Sequence, residues 1–144
     1  MRLTVPCLFG LESLVADEMR RLDLKDVRAE NGRVHCEGTL ADIARLNISL
    51  RCGARVLMEL GSFPAPDFEA LFQGVAALPW EDYIPREGEF PVKGWSLNST
   101  LHSVPACQAI VKKAAARRLG TAYGLETLPE SGSRYQIQFA IVKD

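Results

Sequence analysis

Cysteine and histidine are scarce in this sequence, and the few present are widely spaced. The chain has 144 residues and only two histidines, His35 and His102. Its four cysteines are Cys7, Cys36, Cys52 and Cys107. No two of them form a Cys-x-x-Cys pair, the usual start of a structural zinc site. We therefore expect no bound metal and interpret the cysteines as buried free thiols, since a chain with 47% hydrophobic residues needs no disulfides to fold.

Long hydrophobic runs are also absent. Every apolar stretch is interrupted by proline, glycine or a charged residue well before the roughly 18 residues that a membrane span requires. The first residues, from Met1 to Pro6, lack the basic region, apolar run and cleavage site of a secretory signal. The sequence therefore predicts no membrane partner and a cytoplasmic location.

The motifs of catalysis are missing as well. The sequence has no glycine-rich loop of a nucleotide-binding type, no HExxH, no nucleophilic serine elbow and no cysteine–histidine arrangement at a useful spacing. Gly10 precedes a predicted helix, but its neighbours match neither the dinucleotide-binding nor the P-loop pattern. We therefore predict that this chain contains neither catalytic residues nor a cofactor site.

Acidic residues are absent from a long window of the chain. Between Phe90 and Leu125 the sequence has no Asp or Glu, although it has five basic residues there. These are Lys93, Lys112, Lys113, Arg117 and Arg118. The window carries +5 in a chain of net charge −1, so the rest of the chain carries −6. Such a concentration of cations usually serves an anionic partner such as nucleic acid.

The hydrophobic pattern predicts an α/β (α+β) fold in two domains, residues 1–62 and 63–144. The first domain shows the order strand, helix, strand, strand, helix, strand, which is ferredoxin-like. In it, Asn31-Gly32 predicts a type I′ hairpin turn, Thr39 predicts a helix N-cap, and the last strand is expected at 55–60. A linker with two prolines then separates the domains.

The second domain is expected to contain two helices and two strands. Asp67 predicts the N-cap of the first helix. The other elements are expected at 90–97 (strand), 106–119 (helix) and 135–142 (strand).

The segment from Phe90 to Lys113 combines three features of an anion-binding surface. Pro105 suits the first turn of a helix, so the helix should begin near Ser103 with its amide groups towards the preceding loop. On that helix, Lys113 and Arg117 lie one turn apart, an unpaired basic row beside which no acid is near in sequence. The loop adds hydroxyl and amide groups that suit a phosphate, from Ser96, Asn98, Ser99, Thr100 and Ser103.

Each of these features also has a simpler interpretation. The basic row alone fits an ordinary solvated helix face, so the prediction rests on the combination. His102 has no carboxylate or cysteine near it in sequence, which favours a surface or phosphate-contacting role over that of a general base. Trp95 could stack on a base, but a tryptophan between Val92 and Leu97 on a strand more often belongs to the core.

The same segment resembles the THUMP domain of bacterial RNA methyltransferases that modify the N2 of guanine in large-subunit ribosomal RNA. The similar pieces are Phe-Pro-Val-Lys-Gly-Trp-Ser, Asn-Ser, Leu-His-Ser-Val-Pro, Cys-Gln and Ile-Val-Lys-Lys-Ala. Pro6-Cys7 with Gly10-Leu11-Glu12, and Asn31-Gly32 with Val34, are similar to the ferredoxin-like half that precedes the THUMP domain in that family.

The resemblance implies a ferredoxin-like βαββαβ subdomain followed by a THUMP α/β domain with a mixed sheet, truncated before a methyltransferase domain that uses S-adenosylmethionine. The implied partners are RNA, in particular ribosomal RNA, and that C-terminal methyltransferase domain. No cofactor is implied for the present residues. The motif match implies RNA contacts at Lys93, Ser96, Asn98, Ser99, His102, Ser103, Lys112 and Lys113, to which the charge argument adds Arg117.

Other functions fit the same residues. The module could serve another RNA-modifying enzyme, of the 4-thiouridine synthetase or deaminase type. A ferredoxin-like regulatory domain could instead hold a phosphorylated metabolite in the basic, hydroxyl-rich loop. The basic face could also dock on the chain's own enzyme.

Overall fold

The structure, a computed structural model, describes residues 1–53, 55–97, 99 and 101–142. The chain divides into a first unit, Met1–Leu60, and a second unit, Gly61–Asp144. The first unit contains β1 (Arg2–Pro6), α1 (Glu12–Arg21), β2 (Lys25–Glu30), β3 (Arg33–Glu37), α2 (Leu40–Ser49) and β4 (Leu57–Met58). The second contains α3 (Phe68–Ala76), a short 3₁₀ helix (Trp80–Asp82), β5 (Val92–Leu97), α4 (Val104–Tyr123) and β6 (Ile137–Val142).

The first unit has the ferredoxin-like arrangement that its sequence predicts. Its strands lie in the order β2-β3-β1-β4, and the described pairs are antiparallel. This order places β1 and β3 together in the middle, as expected when the two halves of a βαββαβ chain interleave. The apolar residues of the sheet and both helices share one core, formed mainly by Leu3, Val5, Val15, Ala16, Met19, Val34, Cys36 and Leu46.

The hairpin between β2 and β3 forms as predicted, but its turn is not of type I′. Only Gly32 of the two turn residues has a positive φ, of 78°, whereas a type I′ turn requires two. The turn is fixed from outside the hairpin: Gly32 N donates to Glu12 Oε1 at 2.9 Å, and Cys7 N donates to the Gly32 carbonyl oxygen at 2.9 Å. Contacts with the β1–α1 loop therefore help to set its geometry.

Both predicted N-caps are confirmed. The Thr39 hydroxyl accepts from Asp42 N at 3.3 Å, and the Asp42 carboxylate accepts from Thr39 N at 2.9 Å, which is a capping box. At α3, Asp67 Oδ1 accepts from Ala70 N at 2.7 Å. These short polar side chains satisfy amides that a helix start leaves unpaired, so they mark the boundaries from sequence.

The last strand of the first unit is shorter than predicted. We expect a strand over residues 55–60, but β4 covers only Leu57–Met58 and pairs with Leu3 and Thr4 of β1. An isolated antiparallel bridge between Cys7 and Gly53 extends this pairing beyond the end of β1. An edge strand bonds to one neighbour only, so an apolar sequence does not by itself keep it extended along the whole of that neighbour.

The second unit is a β5–α4–β6 crossover with α3 packed on α4. Strands β5 and β6 are parallel and in register from the Val92–Ile137 pair to the Leu97–Val142 pair. The fold class, α/β with both antiparallel and parallel pairing, is thereby confirmed. The core of the unit contains Leu71, Val75, Trp80, Ile84, Phe90, Leu101, Cys107, Val111, Ala114, Ala115, Leu119, Ile137 and Ile141.

Helix α4 is longer than its sequence pattern predicts. The apolar spacing indicates residues 106–119, whereas the helix runs from Val104 to Tyr123. The helix starts next to Ser103 with Pro105 in its first turn, which confirms the predicted position of its start. Its end is set by Gly124, whose φ of 67° is the left-handed conformation that ends many helices.

The cysteines are free thiols, although only Cys36 and Cys107 are buried, while Cys7 and Cys52 are half-buried. Burial raises the pKa of the Cys36 thiol to about 11. Within the described residues, no group of three or more His, Cys, Asp and Glu side chains could hold a metal ion. None of the helices described combines the length and apolar composition that crossing a bilayer requires.

Candidate functional site

The basic residues of α4 line a groove of about 780 Å³ in the second unit. One wall is formed by α3 and another by α4, and the segment after α4 closes the groove. The residues that line it are Glu69, Phe72, Gln73, Phe90, Lys112, Lys113, Ala116, Arg117, Gly120, Leu125, Glu126, Thr127, Leu128 and Glu130. Three predicted contact residues, Lys112, Lys113 and Arg117, therefore share one surface, but three glutamates share it with them.

Lys112 is engaged inside the unit. Its Nζ donates to Glu130 Oε1 at 2.5 Å and to the Phe90 carbonyl oxygen at 3.0 Å, and it lies 3.6 Å from the centroid of the Phe90 ring. Lys112, which flanks the predicted row of Lys113 and Arg117, is therefore paired with an acid. Glu130 is 18 residues away in sequence, so only the fold brings this acid to the acid-free helix.

Glu130 fixes the segment after α4 to the start of the β5 region. Besides the ion pair with Lys112, its Oε1 accepts from Phe90 N at 3.1 Å. Partial burial raises the pKa of Glu130, but the bonds from Lys112 and Phe90 N outweigh that effect and hold the pKa below its ordinary value. Glu130 therefore remains a carboxylate at neutral pH and neutralises part of the charge that the sequence assigns to this surface.

Arg118 is also committed to the fold. Its guanidinium bonds to Glu81 through Nη2 at 2.7 Å and Nε at 3.0 Å, and Nη1 donates to the Ala76 carbonyl oxygen at 3.3 Å. The bond from Arg118 holds the pKa of Glu81 below its ordinary value. This network ties α4 to the end of α3 and to the 3₁₀ helix, 37 residues away in sequence.

Lys113 and Arg117 are the cations of α4 that remain exposed. Neither belongs to an ion pair within the part of the chain that the structure describes. They lie one helical turn apart, opposite the buried stripe of the helix, and the Arg117 guanidinium carbon is 5.7 Å from the centroid of the Phe72 ring. The predicted basic row of Lys113 and Arg117 is therefore exposed and without an ion pair among the described residues.

The loop before α4 uses its hydroxyls to hold itself together. Ser96 Oγ donates to the Leu101 carbonyl oxygen at 2.7 Å, and Ser99 Oγ accepts from Leu101 N at 3.0 Å. Leu101 is 4% exposed, so the two serines anchor a buried loop residue. The O–H of Ser96 is therefore used inside the loop, whereas Ser99 accepts a bond and keeps its O–H donor, because a loop must satisfy its own backbone first.

The other predicted residues that the structure describes lie outside the groove. His102 and Ser103 are exposed, and within the described chain the Ser103 hydroxyl makes no capping bond to α4. Lys93 is exposed on β5. Asn98 and Thr100 lie outside the described residues. Ser103 and Lys113 are ten helical positions apart, about 15 Å along the axis, so the loop and the groove are two neighbouring patches along α4.

Trp95 is not a core residue, contrary to the prediction. It is 42% exposed, whereas the other tryptophan, Trp80, is 6% exposed and donates its ring N–H to the Val75 carbonyl oxygen. The inner face of β5 has no room for a large side chain: a Cβ at Gly94 would come within 2.4 Å of the Phe139 ring. Phe139 of β6 occupies the space on the inner face into which a side chain at position 94 would project. Trp95, the next residue along β5, lies on the other face.

Sequence reasoning missed the residues that decide the charge of this site. Glu81 and Glu130 lie outside the acid-free window, and Phe72 and Phe90 appear in sequence as ordinary core residues. The nearest signal is the Pro-Glu-Ser-Gly turn after α4, at 129–132, where Glu130 adopts a positive φ of 46°. That signal indicates a turn but gives no partner for its carboxylate.

Comparison with known proteins finds two family models that together match most of the chain. The model described as the RlmL ferredoxin-like domain matches residues 2–57, and the model of the THUMP domain matches residues 65–144. A curated relative is YpsC of Bacillus subtilis, whose name assigns it provisionally to the RNA methyltransferases. It is 39% identical over 137 residues, which are 94% of this chain and 35% of YpsC.

Solved structures with the same fold belong to longer proteins. A Listeria monocytogenes protein described as a predicted N6-adenine-specific DNA methylase is 45% identical with a TM-score of 0.94, over 99% of this chain and 38% of that one. SMU.472, provisionally a methyltransferase and solved as a complex with SAH, is 41% identical with a TM-score of 0.93, over 99% of this chain and 39% of that one. The chain thus spans little more than a third of the length of these relatives.

Proposed function

The chain belongs to the THUMP domain family, and from this premise we propose that it is an RNA-binding module that serves an RNA methyltransferase. The observation that carries the proposal is the pair of exposed cations, Lys113 and Arg117, at the rim of the groove, in a stretch of 36 residues without an acid. YpsC, which carries an RNA methyltransferase name, supports RNA as the ligand. The SAH complex of SMU.472 supports S-adenosylmethionine as the methyl donor of such an enzyme, bound by residues outside this chain.

In this proposal the phosphates of the RNA contact the exposed cations Lys93, Lys113 and Arg117. The patch at the start of α4 adds neutral donors, since Ser99, His102 and Ser103 lie in the segment that leads into the first amides of the helix. Lys112 is held by its bonds to Glu130 and Phe90, which leave one N–H donor of its ammonium group for a ligand. Ser96 supports the loop through its bond to Leu101, and Ser99 and Asn98 complete the proposed set.

The proposal also specifies the RNA substrate of the complete enzyme and its cellular location. We propose ribosomal RNA as the substrate of the complete enzyme, modified at guanine N2, and the cytoplasm as its location. The support is the similarity of the Phe90–Lys113 motifs to the family that modifies large-subunit RNA. Methylation of ribosomal RNA prepared from cells that lack the gene, compared with RNA from unaltered cells, tests this part directly.

The binding test is the salt dependence of RNA affinity. Neutralising three phosphates gives a slope of log affinity against log salt near −3, because each contact releases counterions. We expect the triple variant Lys93→Ala, Lys113→Ala, Arg117→Ala to bind a structured RNA more weakly and to lose up to about three units of slope. Unchanged affinity and slope in this variant would remove the site assignment.

A matched control separates a specific surface from general charge. Arg21, Lys25 and Arg28 are exposed cations of the first unit, so their replacement by Ala changes the net charge by the same amount. We expect this control to retain the salt slope of the unaltered chain. An equal loss in both triple variants would indicate nonspecific attraction.

DNA is the second candidate ligand, because the Listeria relative is described as a DNA methylase. The two candidates are separated by DNA and RNA of the same sequence and secondary structure. Tighter binding of the DNA would favour that relative's description over that of YpsC. A thermal shift with nucleotides or sugar phosphates alone would instead favour the metabolite-binding alternative.

A further inference from the structure

The loop between β1 and α1 exposes two large apolar side chains in succession. Leu8 is 75% exposed and Phe9 is 80% exposed, and among the described apolar residues of that size only Ile48 of α2 is more exposed. Single exposed apolar residues are ordinary on a protein surface, whereas contiguous apolar surface marks an interaction site. We call Leu8 and Phe9 the apolar tip of the first unit.

The backbone under the apolar tip is fixed by hydrogen bonds. The Glu12 carboxylate accepts from Gly10 N at 2.8 Å through Oε2 and from Gly32 N at 2.9 Å through Oε1, which ties the loop to the β2–β3 turn. Leu11 N donates to the Leu8 carbonyl oxygen at 3.1 Å and closes a turn within the loop. The tip is therefore pre-organised, so a partner that binds it loses little conformational entropy.

Phe9 rests part of its ring on the hairpin turn. Two of its ring carbons lie 3.5 and 3.6 Å from the position that a Cβ of Gly32 would occupy. Because Gly32 has no side chain, the ring has room at this place and is supported there, although most of it remains exposed. The tip is thus an apolar projection with a supported base.

The chemistry of the apolar tip suits a protein surface better than a nucleic acid. The loop sequence Pro-Cys-Leu-Phe-Gly-Leu, residues 6–11, contains no lysine, no arginine and no hydroxyl side chain. A phosphate backbone is bound by cations and polar donors, which the side chains of this loop do not supply. A leucine beside a phenylalanine instead suits the apolar, charge-poor centre of a protein interface.

The size of the apolar tip limits the kind of partner that it can hold. Complete covering of both side chains would bury about 300–400 Å², whereas a stable interface between separate proteins buries roughly 800 Å² on each partner. The tip alone is therefore too small to hold a second copy of the chain or an independent protein. A domain of the same polypeptide needs less contact area, because the covalent connection keeps its effective concentration high.

The relatives of this chain are long enough to contain such a domain. The matched residues make up 35% of YpsC, 38% of the Listeria protein and 39% of SMU.472, so more than half of each polypeptide lies outside them. We propose that the apolar tip docks into an apolar pocket of the methyltransferase domain in the same polypeptide. The inference rests on the proposed function and names a contact that holds the first unit against the catalytic domain.

Hydroxyl-radical footprinting tests the docking without any substitution. It compares the oxidation of Phe9 in residues 1–144 with its oxidation in the complete protein. In the complete protein the labelling of Phe9 should fall at least about fivefold, because the centre of a packed interface excludes water. Equal labelling of Phe9 in both proteins would overturn the docking.

Leu40 is the matched control for the footprint. It is 66% exposed and follows Gly38, whose N–H donates to the Met1 carbonyl oxygen just before β1, whereas Leu8 and Phe9 follow the end of that strand. Its labelling should be the same in both proteins. An equal loss at Leu40 and Phe9 would indicate general shielding and count against a specific contact.

Protein concentration and added RNA separate the possible occupants of the apolar tip. A contact within one polypeptide gives the same protection of Phe9 in dilute and in concentrated solutions of the complete protein. Protection that grows with concentration would assign the tip to a second copy and contradict the proposal. Protection of Phe9 in residues 1–144 by a structured RNA would assign the tip to RNA, with the same consequence.

A photo-cross-link locates the pocket. When the complete protein carries Phe9→p-benzoylphenylalanine, irradiation should join position 9 to a peptide of the methyltransferase domain of the same molecule, which mass spectrometry identifies. Leu40→p-benzoylphenylalanine should form no such product. A product that joins two copies through position 9, or no product from the folded protein, would rule out the docking.

These outcomes are distinct from a failure of the proposed function. The comparison of Phe9 in the two proteins and the cross-link use no RNA, whereas the proposed function is tested by RNA affinity and its salt slope. If RNA binding behaves as proposed and Phe9 remains fully labelled in the complete protein, RNA binding stands and the docking is overturned. If the complete protein contains no methyltransferase domain, the proposed function fails and the docking fails with it.

Discussion

The two units pair their charges in different ways. Three ion pairs of the first unit join residues three positions apart, namely Asp17–Arg20, Glu30–Arg33 and Asp42–Arg45, although Arg2–Glu59 and the N-terminus–Glu37 pair join distant residues. In the described part of the second unit, both ion pairs join distant residues, Lys112 to Glu130 and Arg118 to Glu81. Local pairs follow from mixed charge along the chain, whereas the cations of α4 have no acid within reach along their own helix.

This difference shows that an acid-free window does not equal a surface of free cations. The fold gives two of the four cations on α4 a carboxylate from elsewhere and leaves Lys113 and Arg117 exposed. The first pair contributes to the unit's own structure, and the second pair is the part of the basic window that we assign to RNA. Three predictions test this separation.

The largest effect is expected from Phe90→Ala. Phe90 is 1% exposed and supports Lys112 through its ring and its backbone, so its truncation should destabilise the second unit by about 3–5 kcal/mol. Urea unfolding measures the change. Leu8→Ala is the control, because Leu8 is 75% exposed in the first unit and its truncation should change stability by about 0.5 kcal/mol or less. Equal small effects would show that Phe90 is not part of the packing under Lys112.

A smaller effect is expected from Glu130→Gln, which should lower the stability of the unit and raise its RNA affinity. Because the folded-state pKa of Glu130 lies below its ordinary value of about 4.5, its contribution is complete above that value and is lost as the pH falls through the folded-state pKa. Glu130→Gln should therefore cost about 1 kcal/mol or less near neutral pH and nothing in strong acid.

The same substitution removes a negative charge from the groove. RNA affinity should rise about two- to fivefold, since Lys112 and its neighbours then face the phosphate without competition. Stability is measured by urea unfolding at several pH values and affinity by titration with a structured RNA. Reduced affinity in Glu130→Gln would contradict the view that Glu130 competes with the ligand.

The smallest effects are expected from single substitutions of Lys113, which is exposed, and Arg118, which is paired with Glu81. Lys113→Ala should weaken RNA binding about two- to fivefold and leave the melting temperature unchanged, because Lys113 contributes a phosphate contact and no ion pair among the described residues. Arg118→Ala should lower the melting temperature, because it breaks the bonds to Glu81 and Ala76, and should change affinity little. If Lys113→Ala lowered the melting temperature and Arg118→Ala weakened RNA binding, the assignment of Lys113 to the ligand and of Arg118 to the fold would be wrong.

The elements were predictable where a local signal sets them. Thr39 and Asp67 mark helix starts because a short polar side chain bonds to amides within its own first turn. The order of strands and helices in the first unit follows from the period of its apolar residues. The end of β4 and the type of the hairpin turn were not predictable, since the first depends on one neighbouring strand and the second on contacts from Glu12 and Cys7.

The sequence alone determined that cations would concentrate between Phe90 and Leu125 and that Pro105 would begin a helix among them. Only the tertiary structure decided which cations remain exposed and which face Trp95 occupies. The physical reason is range: composition and helix starts depend on residues a few positions apart, whereas neutralisation by Glu130 or Glu81 and displacement by Phe139 depend on residues brought together from 18 to 45 positions away. Such contacts leave no local pattern to read.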